Sequence, residues 1–273
     1  MKNFLCMWVT FLICLCFSAC TGETGKDTEP TKPSESSVVT EVHEETTVPT
    51  TESVAETTVV TLPPHSDLYL AEVSQEQMIA YFNEVVLDME YTEGDGDVSL
   101  VQKWISPILY KISGEPTAED MAILEDLFAQ LNEIEGFPGI YAAEAGEENL
   151  TISFLDGDTF RLAFSDFLRG EEADGAVQFW YYTDSNDIYT GRIGYRTDIS
   201  QEIRNSVLLE EMINLLGFND TVLREDSILY QYSSDATKLS DVDWILVKLL
   251  YHPDILPGMN GTDCRTVLES LYY

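Results

Sequence analysis

The sequence predicts a single α+β domain, a mixed twisted sheet with helices packed against it, carried behind a long polar N-terminal segment. Three observations predict it. Residues 66–273 show helix-period and strand-period apolar patterns in the order helix, strand, helix, several strands, long helix, irregular loop, helix. Residues 21–65 contain no aromatic side chain and no such period. Hydrophobic residues make up 44% of the 273, enough for one core.

Ser74, with Gln77 three residues on, is a helix start; Met78, Ile79, Phe82, Val85, Val86 and Met89 follow at helical spacing. Gly94-Asp95-Gly96-Asp97 breaks the chain. Trp104–Ile112 reads as one strand, with Pro107 suiting an edge or a strand start, and Ser113-Gly114 ends it. Thr117 and Asp120 cap a second helix carrying Met121, Leu124, Leu127, Phe128, Leu131 and Ile134, stopped by Gly136, Pro138 and Gly139. Strand patterns follow at Leu150–Leu155, Ala176–Thr183 and Ile188–Arg196. Asp156-Gly157-Asp158 and Asp184-Ser185-Asn186-Asp187 read as turns between them. A long helix runs from after Asp198 to about Gly217, its residues Ile203, Val207, Leu208, Met212, Leu215 and Leu216 expected to face the sheet. The last expected helix is Asp241–Tyr251, stopped by His252-Pro253.

The N-terminus reads differently. Residues 1–19 combine Lys2 with a short apolar run, the pattern of a secretory signal and too short for a stable membrane span. The run ends Phe17-Ser18-Ala19-Cys20, which resembles the lipobox of bacterial lipoproteins, with Phe17 where leucine is usual. The resemblance implies cleavage before Cys20, lipidation of that cysteine, and a domain exported and anchored to the outer side of the membrane. An ordinary cleaved signal with a chance cysteine is the alternative. Either way Cys264 is the only thiol of the domain, so no disulfide within it is expected, and a small buried apolar role is. Residues 20–65 then form a tether: nine acidic and two basic side chains amid Thr, Pro, Ser and Val cannot bury enough surface to offset chain entropy. Fully extended it would reach on the order of 140 Å, and as a coil roughly 40 Å.

Charge narrows the function. The chain has 14 basic and 49 acidic residues, 14 − 49 = −35. Residues 66–273 alone hold 11 basic and 40 acidic, or −29. Phosphate backbones and anionic lipid surfaces would be repelled, so nucleic acid is excluded as a partner and membrane attachment falls to the lipid. No Gly-rich phosphate loop and no G-x-S-x-G elbow occurs.

The long helix carries the sharpest signal. Glu210-Glu211-Met212-Ile213-Asn214-Leu215-Leu216-Gly217-Phe218-Asn219-Asp220 has the spacing of the metzincin zinc signature H-E-x-x-H-x-x-G-x-x-H, with Asp as third ligand in some families. Downstream, Ser227-Ile228-Leu229-Tyr230 resembles the Ser-(Ile/Val)-Met-Tyr turn, with Leu229 in the methionine's place. Leu239-Ser240-Asp241-Val242-Asp243 and Leu250-Tyr251 are similar to the closing helix of matrixins. The chain is also similar to an uncharacterised bacterial family, a domain of unknown function, with Glu-Glu-x-x-(Gln/Asn)-x-Leu-Gly-x-x-Asp at this helix. The resemblance spans roughly residues 100–255 and implies a zincin-like fold. It gives Glu211 the place of a general base, Glu210, Asn214 and Asp220 the places of metal ligands, and Gly217, Ser227, Leu229 and Tyr251 structural places.

Both helical histidines are absent. Catalytic zinc is held by at least two His or Cys in most sites, and here the donors would be oxygen alone, which suits calcium or magnesium rather than zinc. Without a zinc-bound water Glu211 has nothing to deprotonate. Three readings stand open. The domain is a non-catalytic zincin relative, monomeric, with a protein or peptide ligand; or a divergent hydrolase with a cation on Glu210, Asn214 and Asp220 and Glu211 as base; or the match is accidental. In the last case Glu210 and Glu211 form a solvated face, Asn214 is a capping residue and Gly217 an ordinary helix stop. Clustered carboxylates repel, so Arg224, another donor or a cation is expected to reach Glu210 or Asp220.

Overall fold

A computed structural model of the chain describes residues 66–87, 99–170, 172–233 and 235–272. The expected signal, Cys20, the tether, Met89 and the break at Gly94–Asp97 lie outside the described residues. Among those residues no helix is long and apolar enough to cross a membrane.

The domain is a mixed α/β structure, in line with the α+β expectation: seven α-helices around one mostly parallel sheet among the described residues. Helix α1 (Gln75–Leu87) buries Met78, Ile79, Phe82, Val85 and Val86, the predicted stripe. The single strand expected at Trp104–Ile112 is two, β1 (Lys103–Trp104) and β2 (Ile108–Gly114). Pro107 has no N–H to donate, so the ladder is interrupted there, and its carbonyl instead accepts from Asn149 Nδ2 at 2.9 Å. Helix α2 (Ala118–Asn132) starts on a reciprocal cap: Thr117 Oγ1 accepts from the Asp120 amide, and Asp120 accepts from the Thr117 amide. Strand β3 (Ile140–Ala142) is too short for its period to show in the sequence. Strand β4 (Leu150–Leu155) has the predicted bounds.

Asp156-Gly157-Asp158 is a helix start rather than a turn. Asp156 caps the short helix α3 (Gly157–Ala163), accepting from the amides of Asp158 and Thr159, and α4 (Ser165–Leu168) follows. Turn chemistry and N-cap chemistry use the same residues, which is why the sequence misleads here. Phe160 and Phe164 of α3 and its C-cap lie against Gly194, where a methyl group would fall 2.9 Å from Phe164 Cζ.

Strands β5 (Gly175–Tyr181) and β6 (Asp187–Arg196) pair antiparallel, and every other pairing is parallel. Across the sheet the order is β3-β2-β4-β6-β5. β1 pairs with Asp187 and Ile188 while β4 pairs with Gly191–Arg196, so the two share one edge of β6 and β5 takes the other. Ile193 and Tyr195 point into the main core. Gly194, between them, faces α3, as strand alternation requires.

Helix α5 (Gln201–Leu215) begins at Ser200, whose hydroxyl accepts from the Ile203 amide at 3.3 Å. Val207, Leu208, Met212, Leu215 and Leu216 are buried as expected, but Ile203 is exposed, lying on the turn before the helix reaches the sheet. Two of the final carbonyls of α5 find donors in the core: Trp104 Nε1 reaches Leu215 O at 2.9 Å and the Tyr251 hydroxyl reaches Leu216 O at 3.0 Å. Helix α6 (Asp241–Tyr251) has the predicted bounds, capped by Ser240 and ended at His252. A further helix, α7 (Gly261–Leu271), was not predicted; Asn260 caps it, accepting from Thr262 and Asp263, and it packs on α1.

Candidate functional site

Four elements meet around the second half of α5: α5 itself, the start of β5, the loop 218–231, and α1. Gly217 makes the meeting possible. It closes α5 at φ 108°, and its amide donates to Asn214 O at 3.0 Å. A Cβ there would fall within 3.0 Å of the Gln102 carbonyl oxygen, so only glycine lets the helix end touch the chain entering β1.

The loop after Gly217 is held from two sides. Glu84 of α1 is buried and accepts from Thr221 Oγ1 at 2.6 Å, the Val222 amide at 2.7 Å and the Leu223 amide at 3.2 Å. The Asn219 amide donates to Val85 O at 2.7 Å. Beneath, Asp243 of α6 accepts from Ser227 Oγ at 2.7 Å, the Ile228 amide at 3.1 Å, the Ser240 amide at 2.9 Å and Arg224 Nη1 at 2.8 Å. Ser227-Ile228-Leu229-Tyr230 is thus a buried turn, with Leu229 only 2% exposed, and a short bridge pairs Thr221 with Tyr230. Glu84 gives no sequence signal, because a lone acid on a helix looks like a solvated face until the loop is laid on it.

Arg224 does not have the partner expected for it. Its guanidinium is 4% exposed and engages Asp243, Asp226 and Ser240, rather than Glu210 or Asp220. Asp243, buried beneath the same loop, is the carboxylate that Arg224 Nη1 reaches, at 2.8 Å.

Glu211 and Asn214 lie three residues apart on α5 and are 4% and 1% exposed. Glu210 is half-exposed, so the expectation that Glu210 and Glu211 share a solvated face does not hold. Glu211 packs under the start of β5: a Cβ at Gly175 would stand 2.7 Å from its Oε1 and 2.8 Å from its Cγ. Among the described residues Glu211 Oε2 and both polar side-chain atoms of Asn214 have no hydrogen-bond partner. Burial raises the Glu211 carboxyl well above the ordinary range, and the charges of Glu210 and Asp220 push it further, which favours its protonated form. Glu211 therefore feels the charges of both Glu210 and Asp220. Even so, no group of three or more His, Cys, Asp or Glu side chains among the described residues is arranged to hold a metal ion.

The donor set does not fit zinc, because every candidate atom is a carboxylate or amide oxygen and no imidazole or thiolate stands at the helix. His252, the domain's one histidine, caps α6, and its Nδ1 accepts from the Asp254 amide at 3.2 Å. Cys264 is buried and free, and burial pushes its thiol up to about 11, so it is an inert core residue. Neighbouring Lys103 is also buried. Its ammonium donates to the Leu250 carbonyl at 2.9 Å and to that of Ile255, and burial lowers its pKa to about 8. It closes the end of α6 without touching the α5 site.

A comparison with curated proteins finds no match. Residues 75–270 match the family model described as "Protein of unknown function (DUF2927)", about seven-tenths of the chain and every element from α1 to α7. With its fold, motif helix and match all spanning the same residues, the chain belongs to the DUF2927 family.

Proposed function

We propose that the chain is a lipid-anchored surface protein whose domain is a metzincin-like scaffold that binds an extended peptide without cleaving it. One observation carries the non-catalytic half. Glu211, in the place the resemblance gives to the general base, is buried under β5, where burial and the charges of Glu210 and Asp220 favour its protonated form. The flanking Glu210 and Asn214 supply no imidazole or thiolate to a zinc that would lower the water's pKa, so a base at Glu211 has no activated water to act on.

The element order supports the metzincin-like reading. A strand, a helix and further strands lead to the motif helix, the glycine that ends it, a buried Ser227–Tyr230 turn and a closing helix that contacts both. The binding half rests on β5. It pairs only with β6 among the described residues, so its outer edge presents backbone donors and acceptors beside Glu211. With a net charge of −29 on residues 66–273, the favoured peptide is a basic one. Lipidation at Cys20 and display outside the membrane rest on Phe17-Ser18-Ala19-Cys20 alone.

A second reading has the buried, unbonded oxygens of Glu211 and Asn214 in its favour: a hydrolase whose oxygen donors take calcium or magnesium. One experiment separates the two. The purified chain is equilibrated with calcium, magnesium, manganese or zinc; retained metal, melting temperature and cleavage of a mixed peptide library are then measured. The proposal expects no stoichiometric metal, no cleavage, and slowed amide exchange in Gly175–Tyr181 on adding basic peptides. Cleavage abolished by Glu211→Gln overturns it.

A further inference from the structure

A cavity of about 730 Å³ opens where the C-terminal ends of α2 and α6 meet, and none of its lining residues belongs to α5 or the loop after it. The two helix ends are pressed together. A Cβ at Gly136, just past α2, would lie 3.4 Å from Pro253 Cδ, and the Phe137 and Tyr251 rings meet edge-on at 4.9 Å. The α2 end carries about half a negative charge, from carbonyls aligned along its axis, whereas the α6 end is already met by the Lys103 ammonium.

Side chains add to that field. Glu133, the C-cap of α2, and Glu135 stand on the rim, both exposed, and neither forms an ion pair among the described residues. Asp67 lines the opposite side and is matched by Lys248, whose Nζ lies 3.7 Å from its carboxylate and donates to its carbonyl at 3.4 Å. The cavity's one lysine is thereby matched, and the charges of Glu133 and Glu135 are left over. The lining is mixed: Gln130 and His252 are polar, while Leu68, Ile134, Trp244 and Pro253 are apolar, with the half-buried Trp244 and Ile134 resting on the main core. An indole beside exposed carboxylates suits one ligand chemistry, a positive head on an apolar stem.

We propose that this cavity binds an organic cation, a protonated alkylamine whose methylenes lie along Trp244 and Ile134 and whose ammonium faces Glu133, Glu135 and the C-terminal end of α2. Its volume is within the range of small-ligand sites and far larger than a metal ion needs. The inference is independent of the peptide-binding reading of β5.

The probe is 1,5-diaminopentane, titrated into the full chain by calorimetry while the Trp244 indole N–H resonance, assigned through Trp244→Phe, is followed. The expected result is saturable binding with Kd on the order of 1 mM or tighter, accompanied by a shift of the Trp244 signal. Glu133→Gln and Glu135→Gln change exposed side chains and leave the melting temperature in place. Each is expected to weaken binding about two- to fivefold, and salt is expected to weaken it further. 1-Pentanol, with the same stem and no charge, is expected to bind more weakly than the diamine. Absence of saturable binding, a Trp244 signal that stays put, pentanol binding equal to the diamine, or a Glu133→Gln/Glu135→Gln double variant with unchanged affinity would each overturn the proposal.

Discussion

Replacing Gly217 by alanine tests the join on which the α5 site depends. The residue has φ 108°, where an L side chain is strained by about 1–3 kcal/mol. The new methyl also meets a backbone rather than a side chain. It falls within 3.0 Å of Gln102 O and 3.2 Å from Gln102 C, so the segment before β1 must move. Moving it disturbs Trp104, whose indole caps Leu215 O, and overpacking of this kind costs about 1–3 kcal/mol more. Together the loss is about 2–6 kcal/mol, a large part of the 5–15 kcal/mol typical of a domain. With a urea slope of about 2 kcal/mol per molar, the unfolding midpoint read from tryptophan fluorescence should fall by about 2 M. Gly146→Ala is the control. Gly146 also has positive φ, 89°, but nothing lies within 4 Å of its Cβ, so its loss should be about 1–2 kcal/mol. If the two variants lose equal stability, the contact with Gln102 contributes nothing and the argument for a forced glycine at this helix end fails.

Two further perturbations probe the same region. Glu211 has a folded pKa above its unfolded value of 4.5, so the stability linked to its proton is complete below about pH 4.5 and lost as pH rises through the folded value. Glu211→Gln keeps the shape without the titration: thermal melts should find it level with the parent near pH 4 and more stable than the parent at pH 8, and a pH-independent difference would show that the fold does not raise the Glu211 pKa. Asp243→Ala leaves the buried Arg224 guanidinium without its main partner and unlatches the Ser227 turn and the α6 cap. A loss of about 3–5 kcal/mol is expected in urea unfolding, and a loss under about 1 kcal/mol would show that the buried pair is dispensable.

Long, strongly periodic elements were legible in the sequence. α1, α2, α5 and α6 announce themselves by caps and a 3.6-residue stripe, and β4 by clean alternation. Short elements were not: β3, α3 and α4 span fewer residues than a period needs to repeat, and the cap at Asp156 has the chemistry of a turn. α7 follows Gly258-Met259-Asn260-Gly261, which reads as loop until Asn260 is seen holding two amides. At the site, the spacing of Glu211, Asn214, Gly217 and Asp220 was visible because a helix converts sequence offsets into angles. The partner of Arg224 was not, since Asp243 lies 19 residues away and only the folded loop brings it to the guanidinium.

The amino-acid order alone determined where helices and long strands form, that no imidazole stands on α5, and that the surface is strongly anionic, because these are local or additive properties. Tertiary structure decided which polar groups lost water. Glu84, Glu211 and Asp243 are three acidic residues on helices, and no local pattern tells which partners each one meets. Packing gave the first three donors from a loop, the second a dry place under β5, and the third a buried arginine. A carboxyl's chemistry is set by what replaces its hydration shell, and that replacement comes from residues distant in the chain.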